Sequence, residues 1–542
     1  MFDFIKKLFS GDDPFPKSKP RNEKPAAKKR KKKEASPPKT KKGGPKKESV
    51  KKFTLEKGKP GKAKTSLPKG DLKLRLGIDF GTSNSKLVIK DDAQGSFVVK
   101  GGHDVLYPTT IYYKGYRYSL KEFENSKESS DLKIKLLDAI HKTANRGKKE
   151  TFDTRFVNNS AFKDAAIYIS LLIKLAMEWI LQKQGRYYSN YNLKWDIVIG
   201  FPSIPSADSS KKDTYERLVH AFKLLAKTGF YLSEKKESEI TNSVYSKATQ
   251  DVFEDKKSPS RSDNPNWCFA YPEILAQLAT IQQTDFEMRM GKNILVDIGA
   301  GTVDTITFSN NSDDRRLSIY QAAVGFIGAH KFHDFRIGKI ILALKKEKKK
   351  YEFTGKHPMD QQDGTPFNAR NYSQSSVLSP KKVEALLEEA IDPEFYVLVH
   401  QLVMGNFADT YNNLRNANLN RNPPSETFQL MLTGGGSMLS VYKAIEKLPF
   451  SSINDYELNV KSFPTPTDIN NNTTNISKIF HRLSIAYGLA FGNMELYEIS
   501  TRALAEENYN SHKITGGLSD KRCKNLNCGA NCTQFSDYCY FC

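Results

Sequence analysis

Apolar and polar positions alternate from about residue 72 to residue 120, with Leu74, Leu76 and Ile78 before a short polar break and Leu87, Val88 and Ile89 after it. Period-two patterning of this kind predicts a β-meander. The period then lengthens, so that 128–145, 160–183 and 211–228 read as helices, with a strand at 197–199. Ile294, Leu295 and Val296 predict a second buried strand, followed by the alternating Thr305, Ile306, Thr307 and Phe308. Further helices are expected at 380–416, 437–447 and 481–499. Residues 232–266 are polar with little periodicity and read as an inserted surface excursion. Residues 345–379 read as another, opening with the run Lys345-Lys346-Glu347-Lys348-Lys349-Lys350. The most apolar stretch, 165–181, contains Lys174 and Glu178 and is expected to pack by one face in the body of the fold, not to span a bilayer.

Two of the polar breaks share a design. They are Ile78-Asp79-Phe80-Gly81-Thr82-Ser83-Asn84-Ser85 and Val296-Asp297-Ile298-Gly299-Ala300-Gly301-Thr302-Val303-Asp304. Each predicts a β-hairpin: a buried strand ending in Asp, a tight glycine turn and a second strand. Glycine lets backbone N–H groups approach a phosphate, the hydroxyls of Thr82, Ser83 and Thr302 add donors, and the strand-end carboxylate can hold a cation. Two such hairpins in one chain predict two halves closing on one triphosphate.

The pair resembles the phosphate-1 and phosphate-2 loops of the actin, DnaK-type chaperone and sugar-kinase superfamily. Leu430-Met431-Leu432-Thr433-Gly434-Gly435-Gly436-Ser437 looks like that superfamily's adenosine loop. Tyr271-Pro272-Glu273-Ile274-Leu275-Ala276 is similar to the Glu-bearing helix start of the 70-kDa heat-shock chaperones, and Trp195-Asp196-Ile197-Val198-Ile199-Gly200-Phe201-Pro202 to the strand that precedes it there. The ordered matches cover about residues 74–492, and no Gly-x4-Gly-Lys-Ser/Thr loop competes for a nucleotide.

The resemblance implies an α/β, two-lobed actin-like ATPase fold made of duplicated ribonuclease-H-like domains over 71–500, binding ATP and Mg2+. Asp79 and Asp297 would hold Mg2+, largely through its waters. Gly81, Thr82, Ser83 and Asn84 would cradle phosphate from one side, and Gly299, Ala300, Gly301 and Thr302 from the other. Ala300 is a departure, since the chaperones usually carry Gly there. Glu273 would orient metal-bound water, and a lysine would reach the terminal phosphate, Lys135 being the first choice and Lys133 the alternative. Asp304 is expected either to order its loop or to join the chemistry. Gly434, Gly435, Gly436 and Ser437 would lie under the adenosine.

Charge changes the picture at one end. The formal net charge is +23, of which residues 1–70 carry +17, from 24 Lys/Arg against 7 Asp/Glu. Residues 11–70 are rich in Lys, Pro, Gly and Ser, which predicts a disordered basic linker attractive to polyanions. In residues 1–10 Met1, Phe2, Phe4, Ile5, Leu8 and Phe9 fall on one side of a helix, which predicts an interfacial anchor; docking of that helix on protein is the alternative. Residues 1–33 are thus expected to meet an anionic membrane surface, with nucleic acid as another partner for the basic tail, in a cytoplasmic protein peripheral to the inner face of the membrane.

Five of the six cysteines occupy the last 20 residues: Cys523, Cys528, Cys532, Cys539 and Cys542. Their spacing suits two knuckles around tetrahedral Zn2+, and the segment resembles bacterial C-terminal zinc ribbons. Cys523, Cys528, Cys539 and Cys542 are the expected ligands, with Cys532 as a substitute, in a linker and ribbon over 501–542. Cys268 is expected to be a core residue. No stretch after residue 500 predicts a β-sandwich peptide-binding domain, a departure that puts peptide refolding in doubt. The expected function is slow ATP hydrolysis as a conformational switch serving an unknown client, like a truncated 70-kDa heat-shock protein. The alternatives are a filament-forming actin homologue of the MreB type and a degenerate ATPase acting as a protein- or RNA-binding adaptor.

Overall fold

The computed structural model describes residues 70–101, 105–144, 149–202, 212–235, 240–284, 292–310, 317–346, 372–373, 379–417, 427–447, 457–470 and 476–491. The expected helix at 1–10, the basic linker, most of 345–379 and all five C-terminal cysteines lie outside them.

In chain order the described elements begin with β1 (Asp71–Asp79), β2 (Asn84–Asp91), β3 (Gly95–Val98) and β4 (Tyr107–Pro108). A small sheet of β5 (Ile111–Lys114), β6 (Arg117–Ser119) and β7 (Lys127–Ser129) follows. Next come α1 (Leu132–Ala144), α2 (Lys149–Val157), α3 (Ser160–Tyr188), β8 (Asn192–Phe201), α4 (Lys212–Ser233), α5 (Asn242–Phe253), β9 (Cys268–Pro272) and α6 (Glu273–Gln282). The remainder is β10 (Lys292–Ile298), β11 (Val303–Asn310), β12 (Leu317–Gly325), α7 (Ala329–Lys346), α8 (Pro380–Leu386), α9 (Asp392–Ala417), β13 (Thr427–Thr433), α10 (Ser440–Lys443), β14 (Glu457–Lys461) and α11 (Ile476–Ala490).

The two large sheets repeat one topology. The first runs β3-β2-β1-β8-β9, with β4 also on β2, and the second runs β12-β11-β10-β13-β14. In each, three antiparallel strands are extended by two parallel ones on the other side of the central strand. The parallel members need crossovers, and helices supply them, which makes the molecule mixed α/β. Central strands covered on both faces become continuously apolar: β1 ends on buried residues throughout, and Ile197, Val198 and Ile199 of β8 are fully buried.

The helices follow the apolar period where it is strong. Helix α3 starts behind Asn159, whose side chain accepts from the Ala161 N–H at 2.8 Å. It then buries a stripe that includes Phe162, Ala166, Ile169 and Ile173.

The stretch 232–266 is not the surface excursion its composition predicts. It contains α5, which buries Tyr245, Ala248 and Val252 against the first core. The Tyr245 hydroxyl donates to Val157 O at 2.6 Å, and Asp251 is surrounded by Lys235, Lys247 and Lys256. Only three of the apolar residues of α5 are buried, too narrow a stripe among many polar residues to read as periodic. The helix expected at 380–416 runs without interruption from α8 through a wider π-type turn at Leu387–Ile391 into α9. The expected helix at 437–447 is two tight 3-10 turns flanking the one-turn α10. Among the described residues no helix is long and apolar enough to cross a membrane.

Candidate functional site

The two glycine hairpins meet. A Cβ added to Gly301, in the β10–β11 loop, would stand 3.8 Å from Thr82 Oγ1, in the β1–β2 loop. Each loop is fixed from behind. Behind the first loop, Thr109 donates its hydroxyl to Gly81 O at 2.8 Å and its N–H to Ser83 O at 2.8 Å. In the second loop the Gly299 N–H donates to Thr302 O at 2.9 Å, closing the turn. Ala300 is buried there without a positive φ, so its methyl fits the turn. Asn84 is buried at the start of β2.

Four carboxylates gather at these strand ends: Asp79 and Asp297 close the central strands, Asp304 sits across the ladder from Asp297, and Glu273 opens α6 directly after β9. All four are buried. Asp79 is partnered by Lys86, which lies opposite it in the hairpin register and donates from Nζ to Oδ2 at 2.8 Å. Lys133 Nζ donates to Glu273 Oε1 at 2.5 Å, and both are buried. Among the described residues, Asp297 and Asp304 have no such ion pair. Burial pushes the Asp297 carboxyl up to about 7, and the charges of Glu273 and Asp79 add to that, against the Gln277 amide and Lys86. Burial, then Asp297 and Glu273, hold Asp304 well above the carboxylate range. Glu273 is raised too, by burial first, with Lys133 opposing and Asp79 adding.

Among the described residues, Asp297 Oδ1, Asp304 Oδ1, both amide atoms of Gln277 and Arg482 Nε are buried without a hydrogen-bond partner. Arg482, on α11, has its pKa lowered by burial, with Asp79 acting against this. A buried cluster with more acid than base and free carboxylate oxygens suits a hydrated divalent cation. No group of three His, Cys, Asp or Glu side chains among the described residues is arranged to hold a metal ion directly. A cation bound mainly through its waters fits that donor set. A cation stripped of its waters does not.

The third glycine loop closes against the second. Gly434 adopts φ +81, and a Cβ there would strike Asp297 Oδ1 and Ile298 O. Its N–H donates to His481 O at 3.1 Å, and Thr433 Oγ1 donates to the same carbonyl at 2.9 Å, which ties the loop to α11. The Ser437 hydroxyl turns inward and donates to Gly434 O at 2.8 Å, so it shapes the loop. Gly436 packs on Ile298, and Gly435 is half-buried.

Of the two candidate lysines, the structure brings Lys133 to the carboxylates. Lys135 is exposed, and the charged group it influences is Asp164. The sequence could not separate them, because they flank the same apolar stripe of Leu132, Leu136 and Ile140 on opposite sides. Thr302 Oγ1 reaches Asp304 Oδ2 at 3.5 Å, a loop-ordering contact that leaves the other carboxylate oxygen free. Lys86, Gln277, Arg482 and His330 escaped sequence reasoning. Lys86 alone had a signal: counting back across a tight hairpin from Asp79 reaches it. Cys268 is buried, with its thiol pushed up to about 12 by burial, as a core cysteine should be. No protein-family model matches this chain, and no curated protein matches it.

Proposed function

We propose that this chain is an ATP-binding protein with a two-lobed actin-like fold, of the 70-kDa heat-shock type, which hydrolyses ATP slowly as a conformational switch. The observation that carries this reading is the repeated sheet topology with an Asp-ended glycine hairpin at the same place in each sheet, the two turns facing one another. Asp79 and Asp297 hold Mg2+ through its waters, and the ion supplies charge neutralisation at the phosphates. Thr82, Ser83 and Asn84 bind phosphate from one side, and Gly299, Ala300, Gly301 and Thr302 from the other. Glu273 orients the attacking water, and Lys133 fixes that carboxylate and balances its charge, while Lys135, the first choice for a lysine reaching the terminal phosphate, is exposed. The Gly434–Gly436 loop carries the adenosine. Supporting the metal role, Asp297 Oδ1 and Asp304 Oδ1 have no hydrogen-bond partner among the described residues.

Phosphate release by the full chain with Mg-ATP tests this. Asp297→Asn and Asp79→Asn should each lower turnover by about 100-fold or more. Parental turnover in both variants would refute the site. Residues 1–33 and the cysteines of 501–542 carry two further proposals, an anionic-membrane anchor and a Zn2+ ribbon. Flotation with anionic vesicles, lost in Phe4→Glu with Phe9→Glu, tests the first. Metal analysis finding about one zinc per chain, lost in Cys539→Ser with Cys542→Ser, tests the second.

A further inference from the structure

Ser83 Oγ and His330 Nε2 lie 2.6 Å apart, although 247 residues separate them in sequence. Ser83 belongs to the β1–β2 loop. His330 is in the first turn of α7, and that turn is bound to the β10–β11 loop through three backbone hydrogen bonds. The Gly328 N–H donates to Gly301 O at 3.2 Å, the Ala329 N–H to Gly299 O at 3.0 Å and the His330 N–H to Ala300 O at 2.7 Å. Gly328 permits this approach because it has no side chain: a Cβ there would lie 2.6 Å from Gly301 C and Thr302 N. The second loop and the start of α7 therefore form one piece, and His330 reaches from that piece to the first loop. The contact sits one residue from Thr82, where the two turns face each other.

We infer that His330 is a phosphate-contacting residue that makes the site distinguish a nucleoside triphosphate from a diphosphate. This rests on the nucleotide reading above. Hydroxyl and imidazole can each donate to a phosphate oxygen, and the pair is the side-chain clasp between the loops that would flank it. A terminal phosphoryl group seated there draws Ser83 and His330 onto its own oxygens and holds the two loops closed. A diphosphate has no group at that place and leaves the clasp as it is.

Calorimetric affinities of the full chain for Mg-ATP and Mg-ADP, with steady-state phosphate release, test this in the parent, His330→Ala, His330→Gln and Ser83→Ala. His330→Ala should weaken Mg-ATP by about 10-fold or more and Mg-ADP by less than about 2-fold, since a hydrogen bond to a charged group is lost for the triphosphate alone. His330→Gln, whose amide nitrogen can replace Nε2, should recover most of that loss. Combining His330→Ala with Ser83→Ala should cost less than the product of the single effects. Should His330→Ala fail to fold, Ser83→Ala, which removes one hydroxyl, gives the same ATP/ADP ratio. Equal weakening of both nucleotides, or weakening of neither, overturns the inference and leaves the nucleotide site standing. Absence of nucleotide binding by the parent overturns both.

Discussion

Asp79 and Asp297 hold the same place in repeated hairpins, yet the residue across the ladder is Lys86 in one and Asp304 in the other. One hairpin pairs its carboxylate with a lysine, and the other faces it with a second buried carboxyl, both held above the ordinary carboxylate range by burial first. The carboxylates were legible because glycine turns mark them. Lys86 was overlooked, although counting across the hairpin reaches it, because a lysine in an alternating strand looks solvent-facing until the register is known. His481 is a residue that only the fold reveals. Its backbone carbonyl supports Gly434 and Thr433, while burial, then the charges of Arg482 and Lys443, hold its imidazole at about 4, below the ordinary 6.5. The unfolded chain therefore takes up this proton near pH 6.5 and the folded chain not until about pH 4. The stability contribution is full above 6.5 and is lost as pH falls through that window. At pH 5 the loss from this group amounts to roughly 1–2 kcal/mol. Urea unfolding at pH 7 and pH 5 should show a smaller drop for His481→Gln than for the parent; equal drops would show that another group titrates.

Helices and strands with a broad apolar stripe, such as α3 and β8, were legible from period alone, and α5 was not, because its stripe is three residues wide. Helix α11 shows a different limit. Its position depends on missing side chains, which no hydrophobic pattern records. A Cβ on Gly488 would run into Ala276 O of α6, and one on Gly77 of β1 would run into Ala486 O of α11. Thr280 Oγ1 then donates to Ser484 O at 2.6 Å across the same crossing. Because the obstruction at Gly488 is backbone, it cannot swing aside, and Gly488→Ala should destabilise the protein by roughly 3 kcal/mol or more. Gly338, inside α7, has nothing within 4 Å of an added Cβ, so Gly338→Ala should instead stabilise by about 0.5–1 kcal/mol. Denaturant midpoints of the two variants, measured side by side, decide whether α11 is held by close backbone approach. Similar midpoints would count against it.

The strand order of both sheets was beyond the sequence, since β1 pairs with β8 across more than a hundred residues and a motif says nothing of who its neighbours are. What the two motifs did convey was that one hairpin design occurs twice, and each copy stands at the centre of a sheet with the same strand order. The consequence is thermodynamic. A ligand whose contacts are divided between the two sheets must stabilise both, because unfolding either one destroys the site. At 100 times its dissociation constant Mg-ATP should add about 2.7 kcal/mol, which for a domain of this size raises the unfolding temperature by about 2–3 °C. Chelation of the metal should remove most of that rise. The two single variants Asp79→Asn and Asp297→Asn, one in each sheet, should each abolish it, and neither should do so by unfolding the unliganded chain. Scanning calorimetry of the full chain, with and without Mg-ATP, makes the comparison. If Asp297→Asn loses the shift while Asp79→Asn keeps all of it, the second sheet binds the nucleotide alone, and the first hairpin has some other role.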